Sequence, residues 1–154
     1  MFCNGHSQSH YHSYCKKNPD LVFYFSSDVN KGTIIDKLKF GNSVLETIYG
    51  SLTDKNSKNI GRVAANRMNY NVNDLNKNNI YDRTEDKTFY LNNGTITIIF
   101  PSSNTKDSKG NFVSLSGTTI TRIVSGTGVY LNKKGYVKIE RKNLNRKVSI
   151  YFTN

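Results

Sequence analysis

The sequence predicts an all-β fold of about eight antiparallel strands, closed into a barrel or folded as a sandwich, with a short N-terminal arm. Three observations predict it. Short apolar or alternating runs recur along the 154 residues, punctuated by Asn-, Gly- and Lys-rich turns. No segment shows the 3.6-residue periodicity of an amphipathic helix of about ten residues or more. Ten Tyr and eight Phe are spread along the chain, a residue type that suits pleated sheets.

Leu21 to Phe25 (LVFYF) follows Pro19-Asp20 and is the first strand, apolar on both faces. Val44 to Leu52 and Ile60 to Met68 come next, separated by the polar turn Thr53 to Asn59. Asn69 to Lys87 has no clear period and is expected to be a long loop. Thr88 to Leu91 and Thr95 to Phe100 flank Asn92-Asn93-Gly94, and Asn93-Gly94 accepts the positive φ of a type I′ hairpin turn. A second loop, Pro101 to Asn111, leads to Phe112 to Leu115.

The C-terminal run Thr118 to Phe152 reads as three strands. The first ends in Gly126-Thr127-Gly128, where a chain can bend or pass close to another backbone. The second, Gly135 to Arg141, places Val137 and Ile139 opposite Tyr136, Lys138 and Glu140. The third places Val148, Ile150 and Phe152 opposite Lys147, Ser149 and Tyr151. Asn132-Lys133-Lys134 and Asn143-Leu144-Asn145 are the connecting turns.

A chain of this length fits one domain that buries roughly 70% of its unfolded surface. The division expected is residues 1–19 as an arm and 20–154 as the barrel. No stretch approaches the roughly 20 apolar residues of a membrane helix, and the polar, His-rich start lacks the apolar region of a secretory signal. An intracellular protein is expected, or a virion protein if the source is viral. Heavy use of Asn, Lys, Ile and Tyr fits an AT-rich genome, large DNA viruses among them.

Every Cys and His of the chain falls at Cys3, His6, His10, His12 and Cys15. Three readings stand beside one another: a Zn2+ clip, for which four ligands suffice; a Cys3–Cys15 disulfide in an oxidising particle; or a polar tail. No other cofactor is expected. The 22 Lys and Arg against 11 Asp and Glu give a net charge of +11. The density peaks at Lys133, Lys134, Lys138, Arg141, Lys142, Arg146 and Lys147, with Tyr136 and Tyr151 interleaved. Such a surface suits an acidic protein partner or a nucleic-acid backbone; lysines that guard exposed strand edges are the plainer reading.

The motif order then becomes recognisable. Gly94-Thr95-Ile96-Thr97-Ile98, Val124-Ser125-Gly126-Thr127-Gly128-Val129-Tyr130, Gly135 followed by Val137, and the terminal Ile150-Tyr151-Phe152 resemble the allene oxide cyclase and dirigent group, as do Asp36-Lys37-Leu38 and Asn59-Ile60-Gly61-Arg62 upstream. The resemblance covers roughly residues 20–152. It implies an eight-stranded antiparallel barrel with a ligand-sized interior, assembled as a trimer or dimer, in which Asn93, Gly94, Gly126, Gly128 and Gly135 are structural positions. The plant cyclases of the group carry an acidic stretch on the first strand that supplies a cavity carboxylate. Here Phe25 to Asn30 offers only Asp28, so cyclase or dirigent activity does not carry over.

Two charged residues share otherwise apolar strand faces: Glu46 with Val44 and Ile48, and Arg122 with Ile120 and Val124. If both point inward, they form an acid and an oxyanion-holding cation; a register one residue out leaves both in solvent. The first functional expectation is a non-enzymatic binding or assembly barrel, such as a structural component of a large DNA virus particle. A cyclase or isomerase, or a carrier for a hydrophobic small molecule, is the second. Nucleic-acid binding is the third.

Overall fold

The computed structural model describes residues 18–41, 43–70, 80–105 and 116–153, without the side chains of 70, 80–83, 100–105 and 116. Cys3, His6, His10, His12, Cys15 and the expected strand Phe112 to Leu115 lie outside the described residues. The strands are β1 (Leu21–Ser26), β2 (Ile34–Phe40), β3 (Ser43–Thr53), β4 (Asn59–Tyr70), β5 (Ile80–Leu91), β6 (Gly94–Thr105), β7 (Ser116–Gly126), β8 (Lys134–Lys142) and β9 (Asn145–Thr153). Two single 3-10 turns, Val29–Lys31 and Gly128–Tyr130, are the helical elements among the described residues.

All the pairings are antiparallel, and the order β1-β9-β8-β7-β6-β5-β4-β3 closes where Tyr24 meets Thr53. Eight strands therefore form a closed barrel, which removes the exposed edges an open sheet would present. The ninth, β2, lies on the same side of β3 as β1 does, pairing Ile34 with Tyr49 through to Phe40 with Ser43. Asp28 caps the 3-10 turn between β1 and β2, its Oδ1 accepting the Asn30 N–H at 2.9 Å. Gly32 follows with φ +82°, turning the chain back onto β3. Asp28, the acid that the first-strand comparison singled out, is thus a turn residue.

One face of each strand fills the barrel. Phe23, Phe25, Leu52, Val63, Phe89, Ile96, Ile98, Val137, Ile139, Val148 and Ile150 form one buried cluster. Phe23 and Phe89 meet edge to face at a centroid distance of 5.0 Å, the geometry favoured by ring quadrupoles. Leu52, Phe89, Ile96, Ile98, Val137, Val148 and Ile150 are each 0% exposed, so no water-sized space opens against them. The apolar half of the barrel is packed solid.

Four sequence expectations are corrected. Asn69 to Lys87 is not a loop throughout: β4 runs to Tyr70 and β5 begins at Ile80, and the two pair from Gly61–Leu91 to Tyr70–Asp82. β6 likewise continues past Phe100 through Pro101 to Thr105. Proline is tolerated there because, among the described residues, the β6–β7 register ends at Ile98–Ile123, so none of them pairs with Pro101 on that side. Asp36-Lys37-Leu38 belongs to a strand, β2, where the sequence reading includes none. In the β5–β6 hairpin, Leu91 pairs with Gly94 and Asn92-Asn93 make the turn, neither with positive φ.

Gly94 is needed for a different reason: a Cβ there would lie 2.0 Å from the Thr127 carbonyl oxygen. The converse holds at Gly128, where φ is +60° and a Cβ would lie 2.1 Å from the Asn93 oxygen, and at Gly126, where it would lie 2.4 Å from the Tyr130 oxygen. The hairpin tip and the β7–β8 connection touch backbone to backbone. Gly128→Val combines a forbidden φ with a backbone clash, and it is expected to lower the unfolding free energy by about 2–4 kcal/mol. A urea midpoint within 10% of the original, were it measured, would contradict that contact.

Candidate functional site at the charged end of the barrel

Toward the end that carries the β8–β9 turn, the inward positions change character. Going along β3 from Leu52, the inward positions reach Ile48 and then Glu46; along β4, from Val63 they reach Ala65, Arg67 and Asn69; along β5, from Phe89 they reach Lys87 and Glu85. Lys37–Glu46, Glu46–Arg67 and Arg67–Glu85 are direct cross-strand partners. A row of alternating sign therefore crosses four strands, the arrangement in which opposite charges on facing strand positions attract.

The distances bear this out. Lys37 Nζ lies 3.1 Å from Glu46 Oε1, and Arg67 Nη1 donates to Glu46 Oε2 at 3.2 Å. Arg67 Nε donates to Glu85 Oε2 at 3.3 Å, and Asn69 Nδ2 donates to Glu46 Oε2 at 3.2 Å. Lys87 donates to Glu85 from the next inward position of the same strand. Glu85 is 2% exposed and Lys87 7%. For Glu46, burial pushes the carboxyl pKa up, but the hydrogen bond from Lys37, the charge of Arg67 and the Asn69 amide outweigh it and hold the pKa below the ordinary value.

That depression has a pH consequence. A carboxylate whose folded pKa is lowered adds stability above its unfolded value and loses it as pH falls through the lower folded value. Wild-type unfolding free energy should therefore fall as the pH drops below about 4.5, and Glu46→Gln should make this decline shallower. Identical acid slopes for the two proteins in urea titrations would contradict the ion-pair geometry.

Across the barrel, β8 stands four strands from β4 in the ring. Its inward positions are Val137, Ile139 and Arg141. Arg141 Nη1 donates to the Thr119 hydroxyl, while its Nε is buried with no hydrogen-bond partner among the described residues. Burial alone draws its pKa below the ordinary guanidinium value.

Of the sequence candidates, Glu46 lies in this layer, whereas Arg122 does not. Arg122 sits on the outer face with Ile120 and Val124, which are 62% and 56% exposed, because the apolar residues on its face of β7 are not core residues. It lines an outer groove with Lys133 and Lys134 beside the β7–β8 connection. The paired acid and cation expected of Glu46 and Arg122 therefore does not exist. Arg67, Glu85 and Lys87 were missed.

The basic run does not make one surface. Lys133 and Lys134 stand at the end of the barrel where β8 begins; Lys142 and Arg146 flank the β8–β9 turn; Arg141 points inward; Lys138 and Lys147 flank Glu140 at 3.1 and 3.9 Å. Tyr136 and Tyr151 are register partners and stack on each other at 4.6 Å with 7° between planes. Tyr136 is buried, so it offers no open face to a base. Among the described residues no three His, Cys, Asp or Glu side chains gather as a metal site, and no helix is long and apolar enough to cross a membrane.

This architecture has solved counterparts. A pyocyanin demethylase is similar over 86% of this chain and 98% of its own, with a TM-score of 0.60 and 17% identity. A pterocarpan synthase dirigent protein is similar over 86% of this chain and 84% of its own, with a TM-score of 0.57 and 16% identity. The fold is a dirigent-like barrel. The sequence matches no family model and no curated protein. At these identities the likeness concerns the fold alone, and it agrees with the motif order of the glycine-centred segments.

Proposed function

We propose that this dirigent-like barrel binds a small organic molecule at its charged end, with Glu46, Arg67, Glu85 and Lys87 recognising the polar groups of the ligand and the neighbouring apolar wall supporting its body. The observation that carries the reading is the burial of Glu85 and Lys87, 2% and 7% exposed, at inward positions next to the apolar cluster. Desolvating such a pair costs as much as its attraction returns, so apolar residues of similar volume would hold the barrel as well or better. Stability does not account for the charges; recognition does. The names of both solved counterparts refer to small organic molecules, which supports the same direction.

Binding is favoured over proton-transfer chemistry by the state of the carboxylates. Glu46 is held ionised by Lys37, Arg67 and Asn69, and Glu85 is engaged by Arg67 and Lys87. A carboxylate so held accepts hydrogen bonds well, but Glu46 is not poised near neutral pH as a general acid or base needs to be. Because the apolar half is packed, the ligand binds at the mouth.

A small hydroxy-aromatic probe such as 2-naphthol tests this. Its hydroxyl can donate to the carboxylates while its rings cover apolar wall. Saturable fluorescence quenching by the wild type, weakened at least about tenfold in Arg67→Met, is expected. Linear, unsaturable quenching that is equal in both proteins would refute the site.

A further inference from the structure

On the wall away from the alternating-sign row, where β1 ends, a cleft of about 620 Å³ is lined by Phe25, Lys31, Lys55, Arg141, Lys142 and Arg146, among others. It lies within the size range of small-ligand sites. Its two acids are already engaged. Asp54 Oδ1 accepts the N–H groups of Asn56 and Lys58 at 2.8 and 3.0 Å, holding the β3–β4 turn. Glu140 lies between Lys138 and Lys147. Among the described residues, no carboxylate pairs with Lys31, Lys55, Arg141 or Lys142. In the ligand-recognition row, by contrast, each cation has its acid.

Arg141 gives the cleft more than diffuse charge. Its guanidinium is half-buried, its one hydrogen bond goes to a neutral hydroxyl, and a buried Nε–H has no acceptor. A buried donor without a partner is costly, and more so on a charged group. An anionic oxygen would satisfy it, and the guanidinium fork matches phosphate geometry in a way that a lone ammonium does not. Lysines from three separate elements, namely the 3-10 turn after β1, the β3–β4 turn and the end of β8, converge on the same space.

We infer that this cleft is a binding site for a phosphate-bearing small molecule, with Arg141 as its anchor and Lys31, Lys55 and Lys142 neutralising the remaining phosphate charge. The site stands independently of the one formed by Glu46, Arg67, Glu85 and Lys87.

Calorimetric titration of the full chain with inorganic pyrophosphate, at ionic strength held constant with sodium chloride, is the test. One saturable site with a dissociation constant below about 1 mM is expected. Arg141→Met should weaken it at least about tenfold and leave thermal stability unchanged or raised, since the buried unpaired Nε–H is removed. Arg141→Lys, which keeps the charge but loses the fork, should fall between the two. Lys133→Gln with Lys134→Gln removes two charges elsewhere and should leave the affinity within about twofold.

An equal loss in the Lys133/Lys134 and Arg141 variants would overturn the inference, showing that the charge acts diffusely. So would heats that vanish at matched ionic strength, or a single-stranded oligonucleotide that outcompetes pyrophosphate in wild type and Arg141→Met alike. Loss of pyrophosphate binding leaves the 2-naphthol result untouched, and the reverse holds, so the two readings fail separately.

Discussion

Glu85→Ala is expected to lower the unfolding free energy by about 3–5 kcal/mol, the penalty for breaking a buried ion pair by removing one member. Glu85 is 2% exposed and receives Arg67 and Lys87. Removing it takes the Glu85 carboxylate away from the Lys87 ammonium, the more buried of its two cations, while Arg67 keeps Glu46. Lys87→Met in the same background should therefore recover most of the loss, whereas Arg67→Met should recover little. Urea unfolding of the single and double variants measures this directly. A loss below 1 kcal/mol for Glu85→Ala would mean that water reaches the pair freely.

Phe89→Ala should cost a similar amount, about 3–5 kcal/mol, by a different route. Phe89 is 0% exposed, stands edge-on to Phe23, and pairs across β4 and β6 with Val63 and Ile96. Its removal leaves a cavity in a part of the barrel that has no slack, and the closed ring of strands limits how far the walls can collapse. Tyr90, the next residue, faces outward and is 47% exposed; Tyr90→Ala should cost within about 1 kcal/mol. Equal effects at the two positions would place the register of β5 in error by one residue.

The fold was readable where the two-residue period was unbroken. On β8 and β9, Val137, Ile139, Val148 and Ile150 alternate with polar or aromatic neighbours, and all four are buried. The glycine-centred motifs carried the barrel type, because Gly94, Gly126, Gly128 and Gly135 sit where a Cβ would strike a neighbouring backbone. Those contacts depend on the fold rather than on local propensity.

The charged layer was hidden by the same charges that make it a candidate site. Along β5 the inward positions are Glu85, Lys87 and Phe89, so a hydrophobic alternation that should mark the strand disappears as it approaches the charged end. The segment then looks like loop. A pattern test based on charge would have done better: Glu46, Arg67 and Glu85 alternate in sign across facing strands, but recognising this requires the register, which only the pairing supplies. Glu46 was found because Ile48 shares its face. Arg122 misled because Ile120 and Val124 also share a face, one that turns outward in the folded barrel. Places where local pattern conflicts with the observed element are where function tends to reside, and the β5 conflict coincides with the proposed ligand mouth.

On this proposal Glu85 and Lys87 are kept for recognition and not for stability. The most direct test is Glu85→Leu combined with Lys87→Met, read twice on the same sample: urea unfolding for stability and 2-naphthol titration for binding. An unfolding free energy within about 1 kcal/mol of wild type or above it is expected, together with a dissociation constant raised at least about tenfold. A variant that loses several kcal/mol while binding 2-naphthol as tightly as wild type would contradict it.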